Sequence, residues 1–256
     1  MPKSEKINLS IIIPCLNHVI TTLKCLTYLK DFTDFKKEKA EIILVDDGST
    51  DQTADINSRL YSDLPVKVIR HKTNLGFPKS VNDGIKIARG DLIAVFNNDM
   101  LVGPGWLEPL KWELVKHNGV EMVTGTLIEP SACKDDDFLK YVETLPKIGD
   151  FMLWHKGGPW VFKREVFDKI GLFDEGFIHT QYEDSDFLLR MALAGLKHGQ
   201  VTNSYIYHYS SLTQNGELAK RVGTDYRQIN RNYFIKKWGT VDISYQNAYD
   251  GKGVAQ

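Results

Sequence analysis

Cysteine is scarce in this chain, and what there is stands apart: Cys15, Cys25 and Cys133 form no C-x-x-C pair. That spacing argues against a disulfide framework and against a thiolate zinc site. Long apolar runs are missing too, so no stretch reads as a membrane span. The apolar stretch after Met1–Lys6 is only about five residues long, too short for the core of a secretory leader. The expectation is a cytoplasmic protein, with peripheral attachment at the inner face of a membrane compatible with it. An excess of one charge is equally absent. Against 32 Lys and Arg stand 33 Asp and Glu, for a formal charge of −1, so net charge alone would not grip nucleic acid, although a local basic patch could. No repeat or low-complexity tract occurs. With 42% hydrophobic and 25% charged residues, a largely disordered chain is excluded. The 256 residues suit one large α/β domain better than two small ones.

What is present is an alternation. Residues 9–14 form a short β-branched apolar run closed by Pro14, which predicts a central strand ending at a sheet edge. Residues 18–29 carry apolar positions at helical spacing. A second strand, 41–45, empties into Asp46-Asp47-Gly48-Ser49-Thr50-Asp51, where Ser49 and Gln52 match a capping box that would open a helix running to about residue 61. A third strand covers 66–70. The following helix, 78–88, begins at Pro78, whose missing N–H costs nothing in a first turn. Gly90 stops it before the apolar strand 92–96 and its polar end, Asn97-Asn98-Asp99. Strand and helix in turn predict a single α/β domain with a Rossmann-like, mostly parallel sheet and helices on both faces. Such sheets bind ligands at the carboxyl edge. A carboxylate beside amide carbonyls supplies hard oxygen ligands, suited to holding Mg²⁺ or Mn²⁺ against a phosphate; an Asn/Asp turn after a strand is the plainer alternative.

Past Asp99 a turn at 102–105 leads to a helix over 106–116 and a strand over 120–128. Residues 129–150 show no period, and Asp135-Asp136-Asp137 within them read as a solvated loop. Gly157-Gly158-Pro159 precede a short strand; glycines there allow a tight bend or close approach to a ligand. The helix predicted over 182–195 has acids crowded into its first turn, where the dipole favours ionised carboxylates. Asp184 could then act as a base, or Glu183 and Asp184 could simply stabilise the helix end. A last strand, 201–208, ends in His208. Residues 216–238 contain Arg221, Arg227, Arg231, Lys236 and Lys237 among aromatics and read as an amphipathic helix. The end beyond Gly239 reads as loosely ordered.

In this order the pieces resemble the family 2 glycosyltransferases of the GT-A fold, over about residues 8–240. Ile13-Pro14-Cys15-Leu16-Asn17 is similar to the family's opening strand and loop, and Val45-Asp46-Asp47-Gly48-Ser49-Thr50-Asp51 to its nucleotide-binding loop. Asn74-Leu75-Gly76-Phe77 through Asn82 and Gly84 resembles its glycine-asparagine helix start. Asn97-Asn98-Asp99 stands in the place of the metal-binding DxD motif, Glu183-Asp184 in that of the catalytic ED motif, and His208 in that of a late metal-binding histidine. The resemblance implies a GT-A domain over 1–240, with a nucleotide-binding half (8–100) and an acceptor-binding half (101–215), and a C-terminal helix and tail over 216–256. It assigns Pro14, Asn17, Asp46, Asp47, Asn74 and Asn98 to the nucleotide, with Asp47 on the base. Asp99 and His208 would hold Mn²⁺ or Mg²⁺, Asp184 would be the general base, and Gly158, Trp160 and Glu183 would border the acceptor. Asn97 departs from the pattern by replacing the first acid of DxD, which leaves the number of protein ligands open.

The implied activity is metal-dependent, inverting transfer from a UDP- or dTDP-sugar to an acceptor hydroxyl, in glycan or lipid-linked saccharide synthesis. The basic, aromatic tail keeps a modified nucleic acid or other polymer open as acceptor. Asn97 keeps open a non-catalytic nucleotide-sugar-binding module. A nucleotidyltransferase would require a glycine-rich phosphate loop with a lysine after the first strand, and Pro14-Cys15-Leu16-Asn17 is not one.

Overall fold

The computed structural model describes residues 7–56, 64–154, 158–210 and 225–255. Four strands build the N-terminal half of the sheet: β1 (Leu9–Cys15), β2 (Ala40–Asp46), β3 (Val66–Arg70) and β4 (Leu92–Val95). Their order is β3-β2-β1-β4, and every pairing among them is parallel. Strand β1 is buried along its whole length, so both of its faces must be apolar. Ile11 and Ile13 point into one core layer, shared with Leu26 of α1 (Val19–Phe32), while Ile12 points into the other. There it meets α2 (Phe77–Ile87), which comes close because Gly84 has no Cβ; one added there would lie 2.5 Å from Ile12 Cγ2.

The second half of the sheet is mixed. Strands β5 (Met100–Val102), β6 (Val120–Ile128), β7 (Phe151–Leu153), β8 (Trp160–Lys163) and β9 (Lys197–His208) continue it as β4-β8-β6-β9-β5. Strand β8 runs antiparallel to both β4 and β6, β9 runs parallel to β6, and β5 and β7 run antiparallel to β9. The expected parallel sheet thus holds for the nucleotide half and gives way beyond it. Burial pattern reveals that a strand lies inside a sheet, but its direction depends on the path by which the chain returns. Helices α3 (Leu107–Lys116) and α5 (Glu165–Ile170) follow β5 and β8, and α6 (Glu183–Leu193) precedes β9.

Three local expectations need correction. Ser49 does not cap a long helix: Gln52–Asp55 is one 3₁₀ turn, capped by Asp51, which accepts from the Thr53 N–H at 2.9 Å. Residues 57–61 of the expected helix lie outside the described residues. The stretch 129–150 is not all loop, for it contains α4 (Phe138–Glu143), whose Phe138 and Val142 pack under Leu101, Tyr205 and Tyr207. Within the acidic run before it, Asp135 accepts from Lys24 at 2.6 Å and also bonds the Tyr209 hydroxyl. The tail beyond Gly239 is docked. Helix α8 (Tyr245–Tyr249) buries Tyr245 and Ala248 in the same core layer as Phe187 and Leu188 of α6, and Ile243 bridges Ala255. The basic segment forms α7 (Asp225–Trp238), with Tyr226, Asn230 and Phe234 buried on one stripe, the four-residue spacing of a helix face. Arg221 lies outside the described residues. Among the described residues no helix is long and apolar enough to cross a membrane.

Candidate active site

The loops at the carboxyl ends of β1, β2 and β4 meet over one edge of the sheet. After β1, Asn17 and His18 both take left-handed backbone angles, φ 57° and 62°, a region Asn and His tolerate better than most side chains. Asn17 then ties two loops together. Its side-chain oxygen accepts from the N–H groups of Thr50 and Asp51 at 2.8 and 3.3 Å, and its own N–H donates to Ser49 Oγ at 2.8 Å. Asn98 joins the same staple by donating from Nδ2 to the Asn17 carbonyl and to Thr22 Oγ1. Asp46 also serves this scaffold, accepting from the Ser49 N–H and from Arg70.

Asp47 sits on the cavity side of that loop. One carboxylate oxygen accepts from the Leu75 N–H and meets His71 Nδ1, the other accepts from the Gly76 N–H, all at 2.8 Å. His71 reaches Asp83 with its second nitrogen at 3.2 Å. Gly76 is required where it stands. Its φ is 95°, and an added Cβ would lie 2.8 Å from the His179 backbone nitrogen. Around this close approach the Phe77 N–H donates to the His179 carbonyl at 2.6 Å, and His179 Nδ1 meets Asn74 Oδ1 at 2.9 Å. Burial holds the His179 imidazole below its ordinary pKa, against the opposing charge of Asp47.

Asp99 occupies the turn between β4 and β5. Because β5 pairs antiparallel with the end of β9, Met100 faces His208, and the Tyr209 N–H donates to the Asp99 carbonyl at 3.1 Å. The two side chains therefore come together, with His208 Nε2 3.3 Å from Asp99 Oδ1. That oxygen is buried and receives no hydrogen bond. A desolvated carboxylate oxygen with no donor is costly, and a carboxylate beside an imidazole is the donor set a divalent cation accepts. The residues fit a metal to that extent. Among the described residues no group of three or more His, Cys, Asp or Glu gathers, so the remaining ligands would come from the substrate and water.

Across the cavity, α6 delivers the paired acids. The residues leading into it include His179, Gln181 and Tyr182, all left-handed, with φ of 57°, 81° and 70°. Glu183 is 4% exposed; Oε1 accepts from Thr180 Oγ1 at 3.1 Å, while Oε2 is buried without a partner. Burial, reinforced by the neighbouring Asp184 charge, pushes the Glu183 carboxyl up to about 8. Asp184 is less buried and accepts from the Ser185 N–H at 2.6 Å. Trp160 reaches the same edge because β8 sets it opposite Val95, and its ring stacks on Phe173 with centroids 6.0 Å apart.

A cavity of about 520 Å³ joins these groups, lined by Pro14, Asp47, Asn74, Asn98, Asp99, Trp160, Glu183, Asp184 and His208. Three sequence candidates lie outside the lining. Asn17 and Asp46 hold the loops beneath it. Gly158 instead makes room for Met100, whose Cε would be 2.8 Å from an added Cβ. The structure adds Phe77, Ser80, His179, Thr180, Gln181 and Tyr182 to the wall. Phe77 and Ser80 fall within the motif running from Asn74 to Gly84, whereas for 179–182 the one hint is that they immediately precede the paired acids.

The architecture is shared with solved glycosyltransferases of the GT-A fold, and this chain has that fold. GalNAc-T7 with UDP, GalNAc and Mn²⁺ superposes with a TM-score of 0.69 at 17% identity, over 91% of this chain and 49% of that one. Staphylococcus aureus TarS 1–349 in complex with UDP-GlcNAc gives 0.64 at 19%, over 94% and 69%. More narrowly, the Glycosyl transferase family 2 profile matches residues 10–171, and the chain belongs to that family. Among curated relatives it is 34% identical to an uncharacterized glycosyltransferase of Haemophilus influenzae, over 82% of this chain and 70% of the relative. It is 24% identical to the hyaluronan synthase of Pasteurella multocida over 87% of this chain, which spans only 26% of that synthase's length. The family match ends before α6, so Glu183, Asp184, His208 and α7 all lie beyond it.

Proposed function

We propose that the chain is a metal-dependent inverting glycosyltransferase that moves a sugar from a UDP- or dTDP-sugar to an acceptor hydroxyl. The observation that carries this reading is one cavity holding both a buried Asp99–His208 pair with an unpartnered oxygen and the acids of α6. Pro14, Asp47 and Asn74 would receive the nucleotide. Asp99 and His208 would hold Mn²⁺ or Mg²⁺, which when bound neutralises the diphosphate as it departs. Asp184 takes the proton of the attacking hydroxyl. Burial and the neighbouring Asp184 charge hold the Glu183 carboxyl above its ordinary range, which favours Asp184 of the two as the base. With Asp184 accepting the proton and no covalent step assigned to a second carboxylate, a single displacement inverts the anomeric centre.

UDP and UDP-GlcNAc occur in the neighbouring structures, which supports the donor class. For the acceptor, a glycan agrees with relatives such as the hyaluronan and chondroitin synthases of Pasteurella multocida, while the poly(ribitol-phosphate) beta-glucosyltransferase of Bacillus spizizenii, 37% identical over 46% of this chain and 19% of that protein, agrees with a different polymer as acceptor. This reading sets the enzyme in the cytoplasm, at the inner face of a membrane where the acceptor is lipid-linked. On α7, Lys237 is tied to Asp174 and Asp186 and Arg227 lies over the Tyr226 ring, so a nucleic-acid acceptor would have to use the exposed Arg231 and Lys236.

The test is a thermal-shift panel of nucleotide-sugars with and without Mn²⁺, since a ligand that prefers the native state raises its melting temperature. A UDP- or dTDP-sugar should give the largest shift, and only with the metal. A panel with no shift would count against the donor assignment. Binding without any hydrolysis or transfer would leave a sugar-nucleotide-binding module.

A further inference from the structure

Helix α7 lies outside the family match and contributes no residue to the cavity wall, yet one of its side chains is bound to the loop that carries the paired acids. We infer that Asn230 is a positioning residue for glycosyl transfer, clamping loop 178–182 so that Glu183 and Asp184 enter the cavity. The inference rests on the proposed function for its kinetic readout only.

Asn230 is fully buried. Its Oδ1 accepts from the Ile178 N–H at 3.0 Å, and its Nδ2 donates to the carbonyls of Ile178, Thr180 and Gln181 at 2.8, 2.9 and 3.1 Å. One amide thus takes up four backbone groups of a five-residue loop. Within that loop and at its exit, His179, Gln181 and Tyr182 are left-handed without being glycine, a conformation that is unfavourable for a residue with a side chain and persists only when the surroundings over-determine it. Other described tethers act at single points: the Phe77 N–H on the His179 carbonyl, Asn74 and the Tyr226 ring on the His179 ring, and Phe234 on the Tyr182 ring. Asn230 bonds three residues of the segment from 178 to 181.

The helix does not need this amide in order to dock. Phe234 is buried in the core, Lys237 Nζ lies 2.6 Å from Asp174 and 2.7 Å from Asp186, and Trp238 Nε1 donates to Asp186 at 2.9 Å. Docking and clamping are therefore separable by mutation. Asn230→Ala removes the clamp. Asn230→Asp keeps the volume and the acceptor for Ile178 but turns a second oxygen toward three carbonyls. Lys237→Met loosens the helix and leaves the clamp.

The experiment measures turnover of UDP-GlcNAc with Mn²⁺, UDP affinity by calorimetry, and hydrogen exchange of the amides from 178 to 185. For Asn230→Ala and Asn230→Asp, kcat should fall roughly 10- to 100-fold, as expected when a reacting group is misplaced by about an ångström. UDP affinity should stay within about twofold, and exchange at 178–185 should quicken at least about tenfold. Lys237→Met should lower the melting temperature while keeping kcat within about threefold. Parental kcat and parental exchange in both Asn230 variants would overturn the clamp, as would an equal kcat loss in Lys237→Met. If the parent turns over no nucleotide-sugar, the proposed function fails, and the exchange result alone decides the clamp.

Discussion

Two buried glutamates at opposite ends of the sheet show how differently its two halves treat charge. Glu41, near the start of β2, is 1% exposed and Glu183, at the mouth of the cavity, is 4% exposed. Burial pushes both carboxyls up. At Glu41 it is outweighed by Arg89 and Lys67 with Ser10 and the Arg89 N–H, and the group falls to about 2. At Glu183 burial and the Asp184 charge outweigh the backbone N–H groups of Glu183 and Gln181 and the Thr180 hydroxyl, and the group rises to about 8. The aspartates repeat the contrast: Asp47 is hydrogen-bonded on both oxygens, whereas Asp99 Oδ1 receives no hydrogen bond and has the His208 imidazole 3.3 Å away. Satisfied polar groups hold the fold, because a buried donor or acceptor left unpaired costs about 1–3 kcal/mol. On the function proposed above, a ligand would complete the unsatisfied oxygens of Asp99 and Glu183.

The contrast can be tested from its strongest consequence downward. Asp184→Asn should lower transfer by roughly 10²- to 10⁴-fold, the contribution of a positioned base, while calorimetry shows UDP binding nearly as in the parent; equal loss of both would remove Asp184 from that role. Asp99→Ala should abolish the difference in UDP affinity measured with and without Mn²⁺. If the parent shows no such difference, the orphaned oxygen has another explanation.

The glutamates themselves predict opposite pH signatures. A carboxyl held below its ordinary value stabilises the fold above about pH 4.5 and loses that contribution as the pH falls toward 2. Glu41→Gln should therefore cost on the order of 2 kcal/mol at pH 7, a drop of several degrees in melting temperature, and much less near pH 3. A raised carboxyl works the other way, contributing fully below about pH 4.5 and losing that contribution as the pH climbs through about 8. Glu183→Gln should melt with the parent at pH 5 and above it at pH 9. Melting curves that shift alike for both variants at every pH would erase the distinction.

Part of this is legible in the residues. The run Leu9-Ser10-Ile11-Ile12-Ile13 could only be a strand buried on both faces, and three strand–helix alternations made a parallel nucleotide half hard to avoid. Motif order also pointed to Asp47, Asp99, Asp184 and His208, which line one cavity. Less legible were the small strands β5 and β7, too short to show a period, and the tail after Gly239, whose polar character hid the two anchors Tyr245 and Ala248. Asn17 and Asp46 sit in the right motifs, yet their side chains face neighbouring loops.

Local sequence thus settled the elements whose side chains repeat with a regular period, because burying such a stripe is favourable wherever the chain leads it. The direction of β8, the meeting of Asp99 with His208 through the β5–β9 register, and the grip of Asn230 on the loop before Glu183 were settled only by folding. Each depends on backbone groups far apart in the chain finding hydrogen-bond partners in one place, and no local pattern encodes which partner that will be.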